Sequence, residues 1–465
     1  MDPGVSKSRT AGAHMIDSIV FGHQWSTELS QSIFAEERRV RRWVGVIAAL
    51  GRAQATLGII PHAAADEISG LVDGEIDLAA VAAATRETSH STLGLIQVMQ
   101  SMLPAGMREY VYYGTTVQDI TDTSMMIELA AVGSEAWVQL HQIELALIDL
   151  AAEHRSTPML GRTHGQPGAP ISFGFKVASW ADEVGRSIAR LADMRDRVLA
   201  VQFGGAVGAL GFFGDQALGL RRAFAAEVGL PEPAVSWLTA RDRIAEFATG
   251  LSIAVSSLAR IANEVYSLQR REIGEVSEGS GDSVVGSITM PHKRNPESSE
   301  QIVVLARLVR SHAATLTDTM VQEHERDARG WKAEWAVFPE LCHYALTAIS
   351  LSKSLVDGLE VHAAAMRHNV ETDPYASSEQ LLRRWSPSLG KHRAQALLNE
   401  VYRTASEGDN DVAAALADVV KRDGTTSGLV VGDLTVVETG ASEAMVDRVV
   451  AAAHARRKSG APGWP

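Results

Sequence analysis

Between Phe175 and Phe203 the chain runs without a proline, and apolar residues return at Val177, Ala181, Val184, Ile188, Leu191, Met194 and Val198. Steps of three and four put all of them on one face of an α-helix. At 1.5 Å per residue such a helix is about 43 Å long. A second stripe runs through Ile244, Phe247, Leu251, Val255, Leu258, Ile261, Val265 and Leu268. Further proline-free stretches cover Glu297 to Phe338 and Glu340 to Asp373, and another begins near Asp122. Five long striped helices predict an elongated bundle packed at shallow crossing angles. Shorter helices flank it, punctuated by Gly58, Pro61, Gly70, Gly74 and Pro104 on one side and Pro387, Gly390, Gly408 and Gly424 on the other. The fold class is therefore all-α, with three helical domains: 15–121, the central bundle 122–370, and 371–465. Residues 1–14 read as a disordered extension. Only Gly428 to Val437 suggests a strand.

Lys plus Arg number 43 and Asp plus Glu 56, a net charge of −13. Such a chain is a poor general binder of phosphate backbones, so no nucleic-acid partner is expected. Cys342 is the single cysteine, which excludes an intrachain disulfide and a paired-cysteine metal site. There is no HExxH motif either, and neither a metal nor a cofactor is expected. No purely apolar run reaches the roughly 18 residues of a membrane span, and the N-terminus has no apolar signal core. The expectation is a cytoplasmic protein without a membrane partner.

Three segments do not read as core helix. Gly279 to Pro296, GSGDSVVGSITMPHKRNP, sets a cationic cluster in a glycine-rich connection between two long helices. Most such connections are solvated linkers, but this charge fits a mobile lid over an anionic substrate. Gly161 to Pro170, GRTHGQPGAP, exposes Thr163, His164 and Gln166 ahead of a long helix, although a lone histidine is more often structural. Tyr112 to Thr123, YYGTTVQDITDT, reads as a helix start in which Thr115 and Thr116 cap, or bind an anion.

GSITMPHKRNP resembles the GSSxMPxKxNP signature of the fumarase/aspartase superfamily. GRTHGQPGAPISFG and YYGTTVQDITDT resemble its other two blocks, in the same order and at similar separations. The resemblance covers nearly the whole chain from about residue 17. It implies three helical domains around a long bundle, a homotetramer with a 20-helix core, and active sites each built from three subunits. It also implies anti β-elimination from a succinyl-type substrate, typically releasing fumarate. Ser287 aligns with the catalytic base, and Lys293 with the cation that stabilises it. His164 aligns with a general acid and Glu300 with its carboxylate partner; outside this pairing Glu300 would be a solvated first-turn acid. Asn295, Met290, Thr115, Thr116, Thr163, Gln166, Arg241 and His90 are the implied substrate contacts.

The branch within the superfamily is mixed. Glu323 to Leu341 resembles 3-carboxy-cis,cis-muconate cycloisomerases, as do FGGAVGALGFFGD and WLTARDRIAE. Those enzymes generally carry tryptophan in place of the histidine and lack the partner glutamate, whereas this chain has His164 and Glu300. Asp17-Ser18 stand where adenylosuccinate lyases hold a phosphate with an Arg-Tyr pair. Tyr112, Val117, Ala240 and Ile288 depart from the usual His, Ser, Gln and Ser. The pattern predicts a lyase cleaving a carbon–nitrogen bond in a small substituted succinate, such as nitrosuccinate. A cycloisomerase, an adenylosuccinate lyase and a non-catalytic helical structural protein are the alternatives.

Overall fold

The computed structural model describes residues 14–279, 287–290, 292–408, 411–422, 436–458 and 463–464. Of the extension expected at 1–14, all but His14 lies outside these residues. Five long helices dominate: α1 (Val117–Glu153), α2 (Phe173–Val198), α3 (Asp242–Leu268), α4 (Glu297–Asp318) and α5 (Ala328–Asp357). Each packs on the next, and α5 returns against α1. No residue of the two predicted stripes is more than 5% exposed. Helix α3 is apolar and long enough to cross a membrane, but its apolar face packs inside the bundle. A second buried cluster, including Leu381, Trp385, Leu397, Val401 and Leu416, lies among the shorter helices that follow.

Helix α2 ends at Val198 rather than Phe203, α5 ends at Asp357 rather than near Asp373, and two further boundaries differ from the expectation. Helix α5 continues through Pro339 rather than breaking there. Proline removes one backbone donor, yet the neighbouring Phe338, Leu341 and Cys342 are fully buried and packing holds the helix. The break falls instead between Asp318 and Ala328, where the Asp327 carboxylate accepts the Arg329 N–H at 3.0 Å as an N-cap. Helix α1 starts about one turn before Asp122, because Asp119 accepts the Thr116 N–H at 3.0 Å.

The strand expectation also needs correction. Of Gly428 to Val437 only residues 436 and 437 are described, and neither is a strand. Among the described residues the strands are β1 (Pro158–Thr163) and β2 (Gln166–Ser172), an antiparallel hairpin, and a short pair, β3 (Val276–Ser277) and β4 (Glu360–Val361). Pro158, Pro167 and Pro170 make the first pair read as loop. A two-stranded ribbon, however, has outer edges where a missing N–H costs no ladder bond.

Trp464 locks the end of the described chain into the bundle. Its ring lies over Gly133 of α1, where a β-carbon would come within 2.2 Å of it, and its Nε1 donates to the Leu191 carbonyl at 3.1 Å. Truncating a buried tryptophan typically costs about 3–5 kcal/mol. Trp464→Ala should therefore lower the thermal midpoint clearly while leaving turnover at low temperature unchanged, which calorimetry and a rate assay would check.

Candidate active site

The first corner forms where Tyr112 and Gly114 both take positive φ, 63° and 70°, before α1 begins. A β-carbon at Gly114 would lie 2.4 Å from the Phe213 ring, so this tight backbone requires glycine. Buried Asp119 ties the corner down. Its carboxylate accepts Thr115 Oγ1–H at 3.1 Å and the N–H groups of Thr116, Gly204 and Gly205 at 3.0, 2.8 and 3.0 Å. Burial pushes the Asp119 carboxyl up to about 6, while these donors pull it down. The Thr116 hydroxyl accepts from Arg326 Nη1 at 2.6 Å. Burial keeps the Tyr112 phenol protonated. His90 Nδ1 accepts the Leu93 N–H at 3.2 Å.

The second element is the hairpin tip. Thr163 and Gln166 form the closing pair, and His164 and Gly165 make the turn with φ of 53° and 75°. Both central residues are left-handed, as a two-residue type I′ hairpin demands. His164 is thus a non-glycine residue held in an unfavourable conformation, with its ring exposed.

The third element leads into α4. Ser287 Oγ accepts the Met290 N–H at 3.1 Å, and the Lys293 N–H donates to the Met290 carbonyl at 2.9 Å. Lys293 is exposed, Asn295 Nδ2 reaches Glu297 at 3.4 Å, and Glu300 is exposed in the first turn of α4. Residues 280–286 and 291, where part of the expected lid falls, lie outside the described residues.

Within the chain Thr115 and Thr116 come together around Asp119 and Arg326, and His90 holds the turn before Leu93. Thr163, His164 and Gln166 form a second group, and Ser287, Met290, Lys293, Asn295 and Glu300 a third. Among the described residues no hydrogen bond or ion pair joins His164 to Ser287, Lys293 or Glu300, so the expected His164–Glu300 pair is not made inside one chain. Arg241 is a correction. It is 1% exposed and all its donors are engaged, by Asp122 at 2.6 and 3.1 Å, Glu334 at 2.9 and 2.5 Å, and the Leu238 carbonyl at 3.5 Å. It has no donor left for a substrate. Arg326 reaches this corner without being among the residues read from the sequence, where its signal is a cation in a polar interhelical connection.

A cavity of about 890 Å³ lies between β2 and residues 370–391 and 436–440, away from all three groups. No cluster of His, Cys, Asp and Glu able to hold a metal occurs among the described residues.

The Lyase_1 family, described as "Lyase", matches residues 21–310. N-acetyl-S-(2-succino)cysteine lyase of Enterococcus italicus is 34% identical over 420 residues, covering 88% of this chain and 92% of the relative. 3-Carboxy-cis,cis-muconate cycloisomerase of Pseudomonas aeruginosa is 34% identical over 403 residues, covering 86% and 88%. The crystal structure of 3-carboxy-cis,cis-muconate lactonizing enzyme from Pseudomonas putida superposes with a TM-score of 0.85 at 30% identity, covering 94% of this chain and 98% of that one. The chain is a member of the Lyase_1 family within the fumarase/aspartase superfamily.

Proposed function

We propose that the protein catalyses anti β-elimination from a substituted succinate and releases fumarate. Ser287, as alkoxide, removes a proton from the carbon beside one carboxylate. The charge spreads onto that carboxylate as an aci-carboxylate, held by Lys293 and Asn295. The electron pair then forms the double bond, and the leaving group departs from the neighbouring carbon with its bonding pair. Thr115, Thr116, Thr163 and Gln166, with His90, Met290 and Arg326, are assigned to substrate binding. His164 gives a proton to the departing atom, with Glu300 as its partner. The observation that carries this reading is His164, exposed at the apex of a strained turn where a general acid can be presented.

The proposal has the three groups converge by sharing of sites between subunits and so includes a homotetramer, which would also cover the long bundle faces. Light scattering should give four chains per particle; an active monomer would overturn the shared site.

Carbon–nitrogen cleavage, as in nitrosuccinate, is the first reading of the leaving group. The relatives named N-acetyl-S-(2-succino)cysteine lyase favour carbon–sulfur cleavage as the second. Fumarate absorbance should rise with nitrosuccinate, with N-acetyl-S-(2-succino)cysteine, or with both. Consumption of 3-carboxy-cis,cis-muconate without fumarate would replace the elimination by a cycloisomerisation.

A further inference from the structure

The hairpin that presents His164 and the segment that carries Lys293 and Glu300 are tied together through the residues that flank β3. Glu275 directly precedes β3, and its side chain is fully buried. Its carboxylate accepts both Nη groups of Arg162 at 2.7 Å and Asn369 Nδ2 at 2.9 Å. Arg162 lies on β1, two residues before His164. Three residues after Glu275, the Glu278 carboxylate accepts the backbone N–H groups of Ser298 and Ser299 at 3.1 and 2.7 Å. These belong to the first turn of α4, which also holds Glu300. Gln269 closes the arrangement: its Oε1 accepts the Glu278 N–H at 2.8 Å and its Nε2 donates to the Arg294 carbonyl at 3.2 Å.

We infer that Glu275 and Glu278 are positioning residues: flanking β3, they grip the His164 hairpin just behind its turn with the first carboxylate and the start of α4 with the second. The roles given to His164 and Lys293 rest on the elimination proposed above. A buried ion pair contributes little net stability, because desolvation offsets the attraction. What a bidentate arginine–carboxylate pair supplies is a fixed mutual orientation. Glu275 thereby sets where β1 stands relative to β3, and Glu278 sets where α4 begins relative to the same strand. If three subunits share each site, the hairpin and the α4 segment of one chain serve different sites. The strand then makes the geometry of one site depend on its neighbour's.

The test uses the full chain carrying Glu275→Gln, Glu278→Gln or Arg162→Lys. Hydrogen exchange should rise at Thr163–Gln166 in Glu275→Gln and at Ser298 and Ser299 in Glu278→Gln, with α2 and α3 unchanged. On an accepted substrate whose leaving group needs a proton, kcat should fall by about 10- to 100-fold, the scale of an ångström-level misplacement. The KM should stay near wild type for Glu275→Gln, which disturbs the acid, and rise for Glu278→Gln, which disturbs the carboxylate binders. A purely structural role would lower the melting temperature but leave kcat and KM of the folded enzyme unchanged. Wild-type exchange in both segments, or wild-type kcat in both glutamine variants, overturns the inference. Should Glu275→Gln fail to fold, Arg162→Lys, which keeps the charge and loses the fork, decides the same point. A wild type that releases fumarate from no succinate overturns the elimination alone, and the exchange result still judges the positioning role.

Discussion

Ser287→Ala should lower kcat by several orders of magnitude and leave substrate affinity nearly unchanged. A base acts only in the transition state, so its removal takes away nothing from the ground-state complex. A serine hydroxyl is a weak base on its own, and its alkoxide needs donors and a cation. One donor is already in place, since the Met290 N–H points at Ser287 Oγ from 3.1 Å. Lys293 follows three residues after Met290, exposed and therefore able to swing onto a ligand. Lys293→Ala should weaken both binding and rate, because its charge meets substrate in ground and transition states alike. His164→Ala distinguishes the leaving groups. A weakly basic group such as nitrite needs little protonation, so the loss should be small; an amine or amide should suffer the roughly 10²–10⁴-fold loss of general-acid catalysis. Steady-state kinetics with separate binding measurements checks all three. A Ser287→Ala enzyme with wild-type kcat refutes the mechanism.

The stripes on α2 and α3 were legible because each helix buries one continuous face, and that periodicity is local. The α4–α5 break was misplaced because proline is the louder signal, while the N-cap at Asp327 that ends the connection is a single carboxylate among many. The hairpin was missed for a related reason: its prolines sit on free edges, and a His-Gly turn replaces the familiar Asn-Gly. At the site, local groupings such as Thr115–Thr116 and Ser287–Asn295 could be read from adjacency and motif. Arg326, 210 residues from the Thr116 hydroxyl it meets, could not. Nor could the burial of Arg241, whose partners lie 119 residues before it and 93 residues after it. Only the closed bundle brings those three helix ends together.

That closure gives Arg241→Met a large expected effect on stability. Arg241, Asp122 and Glu334 all have fully buried side chains, and Trp331 Nε1 and Thr319 Oγ1 add donors to the two carboxylates at 3.1 and 3.3 Å. Burial raises the Glu334 pKa, and the arginine's hydrogen bonds and charge pull it back. Without the guanidinium, two carboxylates face each other in the dry centre of the bundle. Breaking one side of a buried pair costs about 3–5 kcal/mol, since the remaining charge loses its compensation. Arg241→Lys keeps the charge but not the fork, so it should fall between the two. Denaturant midpoints would show the ordering wild type, lysine, methionine. The kinetic half of the prediction separates a structural arginine from a substrate-binding one: the folded fraction of Arg241→Lys should keep the wild-type KM. A raised KM with an unchanged midpoint would return Arg241 to the substrate.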